Sequence, residues 1–136
     1  MGTRLRILSL SVLTVLTLAL FSTASAASLT VDETAELTLG GSRAIVTGTY
    51  ECASGGTYSY LQIELVQSKG NNTVSGSGTL LATCDGTPQA FSFEVQSAGA
   101  ALFSNGRAVA EATLVSCGTL TCEEVAAFGG LIRLRR

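Results

Sequence analysis

The chain has no histidine and no tryptophan among its 136 residues, and it has a single proline. Histidine is the usual proton carrier near neutral pH and the commonest metal ligand in proteins. Its absence excludes Ser–His and Cys–His catalytic pairs and histidine-containing zinc sites. An enzyme built from this chain would depend on carboxylates, tyrosines, arginines or Lys69 alone. We therefore predict that the protein is not an enzyme, with no catalytic residue, no metal site and no cofactor.

Residues 1–26 have the composition of an export signal. Two arginines start the segment, an apolar run extends from Ile7 to Phe21, and Ala24-Ser25-Ala26 is a small-residue cleavage site. The apolar run is shorter than the roughly 20 residues that span a bilayer. We predict a signal peptide that is cleaved after Ala26. This leaves one secreted, extracellular domain of residues 27–136 with no membrane span.

Positive charge is scarce in this mature domain. The whole chain has 8 basic and 10 acidic residues, and loss of Arg4 and Arg6 with the signal changes the net charge from −2 to −4. Nucleic-acid-binding domains carry a basic stripe or patch, so we expect no nucleic-acid partner. The cluster of Arg133, Arg135 and Arg136 either contacts an anionic cell surface or, as we favour, protects the edge of a terminal strand.

Apolar and polar residues alternate along most of the mature chain, with glycine- or asparagine-rich breaks about every ten residues. This pattern is typical of all-β sandwiches and barrels. The predicted strands are 28–32, 35–39, 43–51, 58–67, 73–83, 89–96, 107–116 and about 128–134. Residues 123–127 are expected to form one helical turn. The predicted fold is an immunoglobulin-like antiparallel β-sandwich of seven to eight strands with two disulfides.

All four cysteines follow the predicted signal, and thiols in exported proteins are usually oxidised. Four cysteines allow three pairings. Spacing favours Cys52–Cys84 with Cys117–Cys122, because the first two residues end predicted strands and the last two bracket a four-residue loop. A four-thiolate zinc site and a redox centre fit less well, because the C-x4-C spacing lacks the usual second zinc-binding pair and differs from the C-x-x-C of thiol oxidoreductases.

Tyr50, Tyr58 and Tyr60 lie around one break between predicted strands. Tyrosines grouped at one end of a sandwich can bind a sugar ring or a protein partner. They can also form cross-strand packing pairs with their hydroxyls in water. These three residues are the candidate binding surface.

Four features, in order along the chain, resemble those of a known family. They are the strand Gly48-Thr49-Tyr50-Glu51-Cys52, a glycine-rich break, Cys84-Asp85-Gly86, and the strand with Phe91 and Phe93. Together they resemble a family of small secreted actinobacterial proteins, built on a domain of unknown function with a predicted immunoglobulin-like sandwich. The resemblance implies secretion and a β-sandwich, and it implies no catalytic residues. The Cys117-x4-Cys122 spacing is also similar to that of neocarzinostatin-type apoproteins, which carry a chromophore in a sandwich of about this size.

These features leave three candidate functions. The first is a non-enzymatic extracellular binding or envelope-associated module, whose partner is an unknown protein, glycan or small molecule. The second is a carrier of an apolar small molecule, such as a chromophore, and it needs a cleft lined by some of Tyr58, Tyr60, Leu61, Phe91, Phe93 and Phe103. The third is a small hydrolase or protease inhibitor, for which the sequence shows neither a catalytic set nor an inhibitory loop.

Overall fold

The computed structural model describes residues 26–136, so the predicted export signal lies outside the described residues except for Ala26. The described chain is all-β. Its eight strands are β1 (Ser28–Val31), β2 (Thr34–Thr38), β3 (Arg43–Glu51), β4 (Tyr58–Lys69), β5 (Asn72–Ala82), β6 (Gln89–Gln96), β7 (Gly106–Cys117) and β8 (Cys122–Arg135). A 3-10 turn, Leu39–Gly41, connects β2 to β3. The all-β class and the number of strands are confirmed.

The first half of β8 differs from the sequence prediction. Residues 123–127 were expected to be helical, but they continue the strand from Cys122 and pair with β7, for example Glu124 with Val115. The tight β7–β8 hairpin places these residues directly beside β7, and a bulge between Leu114 and Val115 absorbs the change of register. Pairing with a neighbouring strand overrides a weak local preference for helix.

The strands form two layers joined along one side. In layer one, β3 pairs with β6 on one edge and with β1 and β2 in succession on the other. Layer two has the order β8-β7-β4-β5 and is antiparallel throughout. This division into two layers fits the predicted sandwich.

β2 joins the layers by pairing with β8 as well as with β3. The β2–β8 pair is parallel and departs from the predicted antiparallel pairing, which the other strand pairs follow. The backbone N–H of Arg133 donates to the carbonyl of Glu33 at 2.7 Å, just before β2 begins. Residues 133–135 at the end of β8 therefore have neighbours on both sides, and the interpretation of Arg133 and Arg135 as protection for a strand edge is wrong.

The core lies between the two layers and follows the alternation predicted from the sequence. Leu61, Ile63 and Leu65 of β4 are fully buried, as predicted, while Gln62 and Glu64 between them are exposed. At the side away from β2, β5 approaches β6 closely, and a Cβ at Gly78 would lie 2.2 Å from the ring of Phe93. Glycine on β5 thus leaves space for the ring.

The segment between β6 and β7 also contributes to the core. Phe103 is 1% exposed, and its N–H donates to the carbonyl of Gly41 at 2.8 Å. Gln67 is buried on β4, and its side chain bonds both backbone groups of Ser104, donating to the carbonyl at 2.8 Å and accepting from the N–H at 2.9 Å. These bonds fix an irregular segment against two strands.

Two disulfides brace this frame, and their pairing is the one that spacing favours. Cys52–Cys84 connects the end of β3 in layer one to the chain after β5 in layer two. Cys117–Cys122 closes the β7–β8 hairpin. No cysteine among residues 26–136 is free. In the same residues there is no helix long and apolar enough to cross a membrane.

Candidate functional site

The three tyrosines of the predicted binding surface separate in the structure. Tyr50 is 6% exposed, and its ring centroid lies 6.4 Å from that of Phe91 in the core. Its hydroxyl accepts a hydrogen bond from the backbone N–H of Thr83 at 2.9 Å. Because Tyr50 alternates in phase with the buried Val46, its side chain faces inward. Tyr50 is a core residue, and its assignment to a binding surface is wrong.

Tyr58 and Tyr60 lie on the outer face of layer two, at the start of β4. Their rings are stacked, with centroids 6.3 Å apart and planes 20° from parallel. Tyr58 is 53% exposed and Tyr60 is half-buried. The Tyr58 hydroxyl lies 3.8 Å from the sulfur of Cys122, so the pair sits beside the hairpin disulfide.

Neighbouring strands extend this aromatic pair with aliphatic side chains. Leu81 of β5 lies directly opposite Tyr60 and is 79% exposed. Val115 of β7 flanks Tyr60 on the other side and is half-buried. We call Tyr58, Tyr60 and Leu81 the tyrosine platform. The platform offers flat aromatic surface with hydroxyl groups at its edge, a combination that is enriched at binding interfaces.

The tip of the β7–β8 hairpin extends from the same end of the molecule. Leu120 is 95% exposed there. The tip is closed by the Cys117–Cys122 disulfide and by a hydrogen bond from the Gly118 N–H to the Thr121 carbonyl at 2.8 Å. A short, cross-linked loop loses little freedom on binding, which favours its use as a contact.

The aromatic cleft that a small-molecule carrier requires is filled by the core. Leu61, Phe91 and Phe103 are 0%, 6% and 1% exposed. Water does not reach Leu61, so no cavity large enough for a ligand borders it. A groove of about 420 Å³ is lined mainly by small side chains, namely Ala27, Cys52, Ala53, Ser54, Gly56, Ser116 and Val125.

Sequence reasoning did not single out Leu81 or Leu120. Leu81 follows Leu80 in an alternating strand, so one of the two must face outward, and this doublet is a signal that could have been used. Leu120 has no comparable signal, because its exposure depends on how the hairpin closes. Across residues 26–136, no three acidic or cysteine side chains converge in a way that could hold a metal ion.

Residues 25–128 match a family described as a family of unknown function (DUF6299). A search of curated proteins found no match. The family match covers about three quarters of the chain and extends from β1 into β8. The chain therefore belongs to this family.

Proposed function

We propose that this chain is a secreted, non-enzymatic β-sandwich module that binds an extracellular or envelope-associated partner through the tyrosine platform. The observation that carries the proposal is the stacked pair of the exposed Tyr58 and the half-buried Tyr60 beside the exposed Leu81. Large aromatic and aliphatic side chains left in water on a rigid strand are costly unless a partner covers them.

Three features support export. Residues 1–26 have the composition of a signal peptide. The family match begins at residue 25, next to the predicted cleavage position. Two disulfides are expected of a domain that folds in an oxidising compartment. The resemblance to small secreted actinobacterial proteins agrees with this location.

The strand order supports an immunoglobulin-like frame. One layer holds β3 with β6 and β1, the other holds β8, β7, β4 and β5, and β2 pairs with both layers. Immunoglobulin-like sandwiches likewise pack two sheets of three to five strands with crossing connections between them. In this frame the tyrosine platform lies on the outer face of the larger sheet.

The shape of the platform favours a macromolecular partner. Stacked phenol rings on a strand form a flat surface, and small-molecule sites are usually concave pockets. A glycan ring or a protein surface can lie flat on such rings and bond their hydroxyls. We therefore propose a glycan or protein partner.

Binding of the exported protein to intact cells and to isolated cell envelope of the source organism tests this function. We expect saturable binding that weakens at least about tenfold in the variant Y58S/L81S, since two central contacts each contribute more than ~1 kcal/mol at a binding surface. The matched control is L102S, because Leu102 is 46% exposed near the β4–β5 hairpin, at the other end of the molecule. Equal binding by all three proteins, or no binding, would refute the proposal.

A further inference from the structure

A row of three apolar side chains, two of them exposed, crosses the outer face of layer two. Val109 of β7 lies directly opposite Val66 of β4 on one side and Leu131 of β8 on the other. Leu131 is 62% exposed and Val109 is 42% exposed. The row is separate from the tyrosine platform, which lies further along the same strands.

A pair of like charges flanks this row on each side. Arg107 and Arg133 lie directly opposite each other two residues along the strands in one direction. Glu64 and Glu111 lie directly opposite each other two residues along in the other direction. We call these pairs the arginine row and the glutamate row. All four side chains are exposed.

Within residues 26–136, neither row takes part in an ion pair. The ion pair found among residues 26–136 joins Arg43 to Glu94, on the other layer. Like charges directly opposite on neighbouring strands destabilise a sheet. The face thus holds two unfavourable rows of opposite sign on either side of an apolar one, and a single partner of complementary pattern would relieve both.

We propose that this partner is a second copy of the chain. A two-fold axis parallel to the apolar row brings the two outer faces together with their strands antiparallel. The apolar row then packs against its own copy, and the two charged rows overlap at β7, where each Arg107 lies over Glu111 of the other copy. Such an isologous arrangement forms the Arg107–Glu111 contact twice, once from each copy, and it matches the aligned packing of stacked sheets.

The glutamate row has space for the arginines of the second copy. Gly129 of β8 lies opposite Glu111 and leaves that position of the row without a side chain. A Cβ built at Gly129 would meet no atom within 4 Å. In the proposed dimer, Arg107 of the second copy faces Glu111, and Arg133 of the second copy lies over Gly129.

The size of the face predicts a weak dimer. Four strands about 4.8 Å apart, overlapping along about 20 to 30 Å, bury roughly 400 to 600 Å² per copy. Stable complexes bury about 800 Å² per partner, so the dimer should form at high protein concentration and weaken as salt screens the charges. The tyrosine platform lies beyond the overlap, so this inference does not depend on the proposed function.

Sedimentation equilibrium of the exported protein, measured at about 50 and about 500 mM salt, tests the dimer. For the wild type we expect a dimer whose dissociation constant rises at least about tenfold at the higher salt. R107E and E111R should each raise the dissociation constant at least tenfold, because like charges then face each other across the interface. An equal mixture of the two variants, and the double variant R107E/E111R, should recover the wild-type value within about threefold.

Thermal unfolding separates loss of the dimer from loss of the fold. R107E places a carboxylate opposite Arg133, and E111R places a guanidinium opposite Glu64, so each variant should melt at or above the wild-type temperature. K69E changes the net charge as R107E does, but it lies at the β4–β5 hairpin, outside both charged rows, and should dimerise as the wild type does.

Two results would overturn the inference. One is a wild-type protein that stays monomeric to about 1 mM at low salt. If that monomer binds heparin and the binding needs Arg107, the partner of this face is an anionic polymer instead. The other is dissociation by both single variants with no recovery in the mixture, which would exclude the proposed pairing of rows.

Discussion

Asp85 stabilises the turn between β5 and β6 through hydrogen bonds to its carboxylate. Its Oδ1 accepts hydrogen bonds from the Thr87 hydroxyl at 2.6 Å and from the Thr87 backbone N–H at 2.9 Å. These bonds favour the ionised carboxylate and hold the pKa of Asp85 below its ordinary value of 3.8, with the hydroxyl bond as the largest cause. Since the folded pKa is depressed, the turn's contribution to stability is present above the ordinary pKa and is lost as the pH falls through the folded pKa.

We expect T87V to raise the pKa of Asp85 toward 3.8, because it removes the hydroxyl and keeps the backbone N–H. Titration of the Asp85 carboxyl by NMR measures this directly in both proteins. An unchanged Asp85 pKa would show that the hydroxyl bond is not formed in solution.

Two adjacent glycines share an unusual backbone conformation but differ in how closely other atoms approach them. Gly40 and Gly41 both have positive φ angles, 70° and 95°. A Cβ at Gly40 would meet nothing within 4 Å, whereas one at Gly41 would lie 2.0 Å from the carbonyl oxygen of Phe103. The second position therefore combines an unfavourable backbone conformation with a clash against fixed backbone.

We expect G40A to lower the free energy of unfolding by about 1 kcal/mol, the cost of a left-handed conformation for alanine. G41A should lower it by at least about 3 kcal/mol, because the segment holding Phe103 must also move. Urea denaturation of the two variants provides the comparison. Equal losses would contradict the close approach of Gly41 to Phe103.

For the strands, the alternation of apolar and polar residues predicted those ranges and buried faces that depend on local sequence. The ranges of β3 and β6 agree with the prediction at both ends, and the buried face of β4 was identified correctly. The start of β8 was missed, because hairpin closure and a bulge set its pairing. The parallel β2–β8 pair has no local signal, since it joins residues about one hundred positions apart, such as Ala35 and Leu134.

The difference between local sequence and tertiary pairing also explains which residues of the candidate site were predicted correctly. All three tyrosines lie around one break between predicted strands, but only tertiary pairing decides which face of each strand meets the core. Tyr50 lies on the inner face of β3, while Tyr58 and Tyr60 lie on the outer face of β4. The platform itself also needs Leu81, which the β4–β5 register brings opposite Tyr60.

We expect Q67A to lower the free energy of unfolding by about 1 to 3 kcal/mol, because the backbone groups of Ser104 lose their partner in a part-buried place. Hydrogen exchange at the Ser104 amide should accelerate in the same variant. Q62A is the matched control, since Gln62 is exposed on the same strand and its loss should change stability by less than about 0.5 kcal/mol. Equal effects of Q67A and Q62A would remove Gln67 as the anchor of the β6–β7 segment.

For the whole molecule, the disulfides set how firmly the two layers are held. Cys52–Cys84 spans 32 positions and Cys117–Cys122 spans 5. The chain-entropy relation assigns them about 4 and about 2 kcal/mol. Against the ~5–15 kcal/mol stability of typical domains, the bridge between layers is the larger single contribution. A rigid frame of this kind can present the tyrosine platform at low entropic cost.

Intact-mass spectrometry with peptide mapping of unreduced protein from the culture medium tests whether the chain is an exported domain braced by these two bridges. We expect a chain of residues 27–136 that is about 4 Da lighter than its reduced form, with one linked peptide pair holding Cys52 and Cys84 and another holding Cys117 and Cys122. Retention of residues 1–26, or four cysteines that react with an alkylating reagent before reduction, would contradict it.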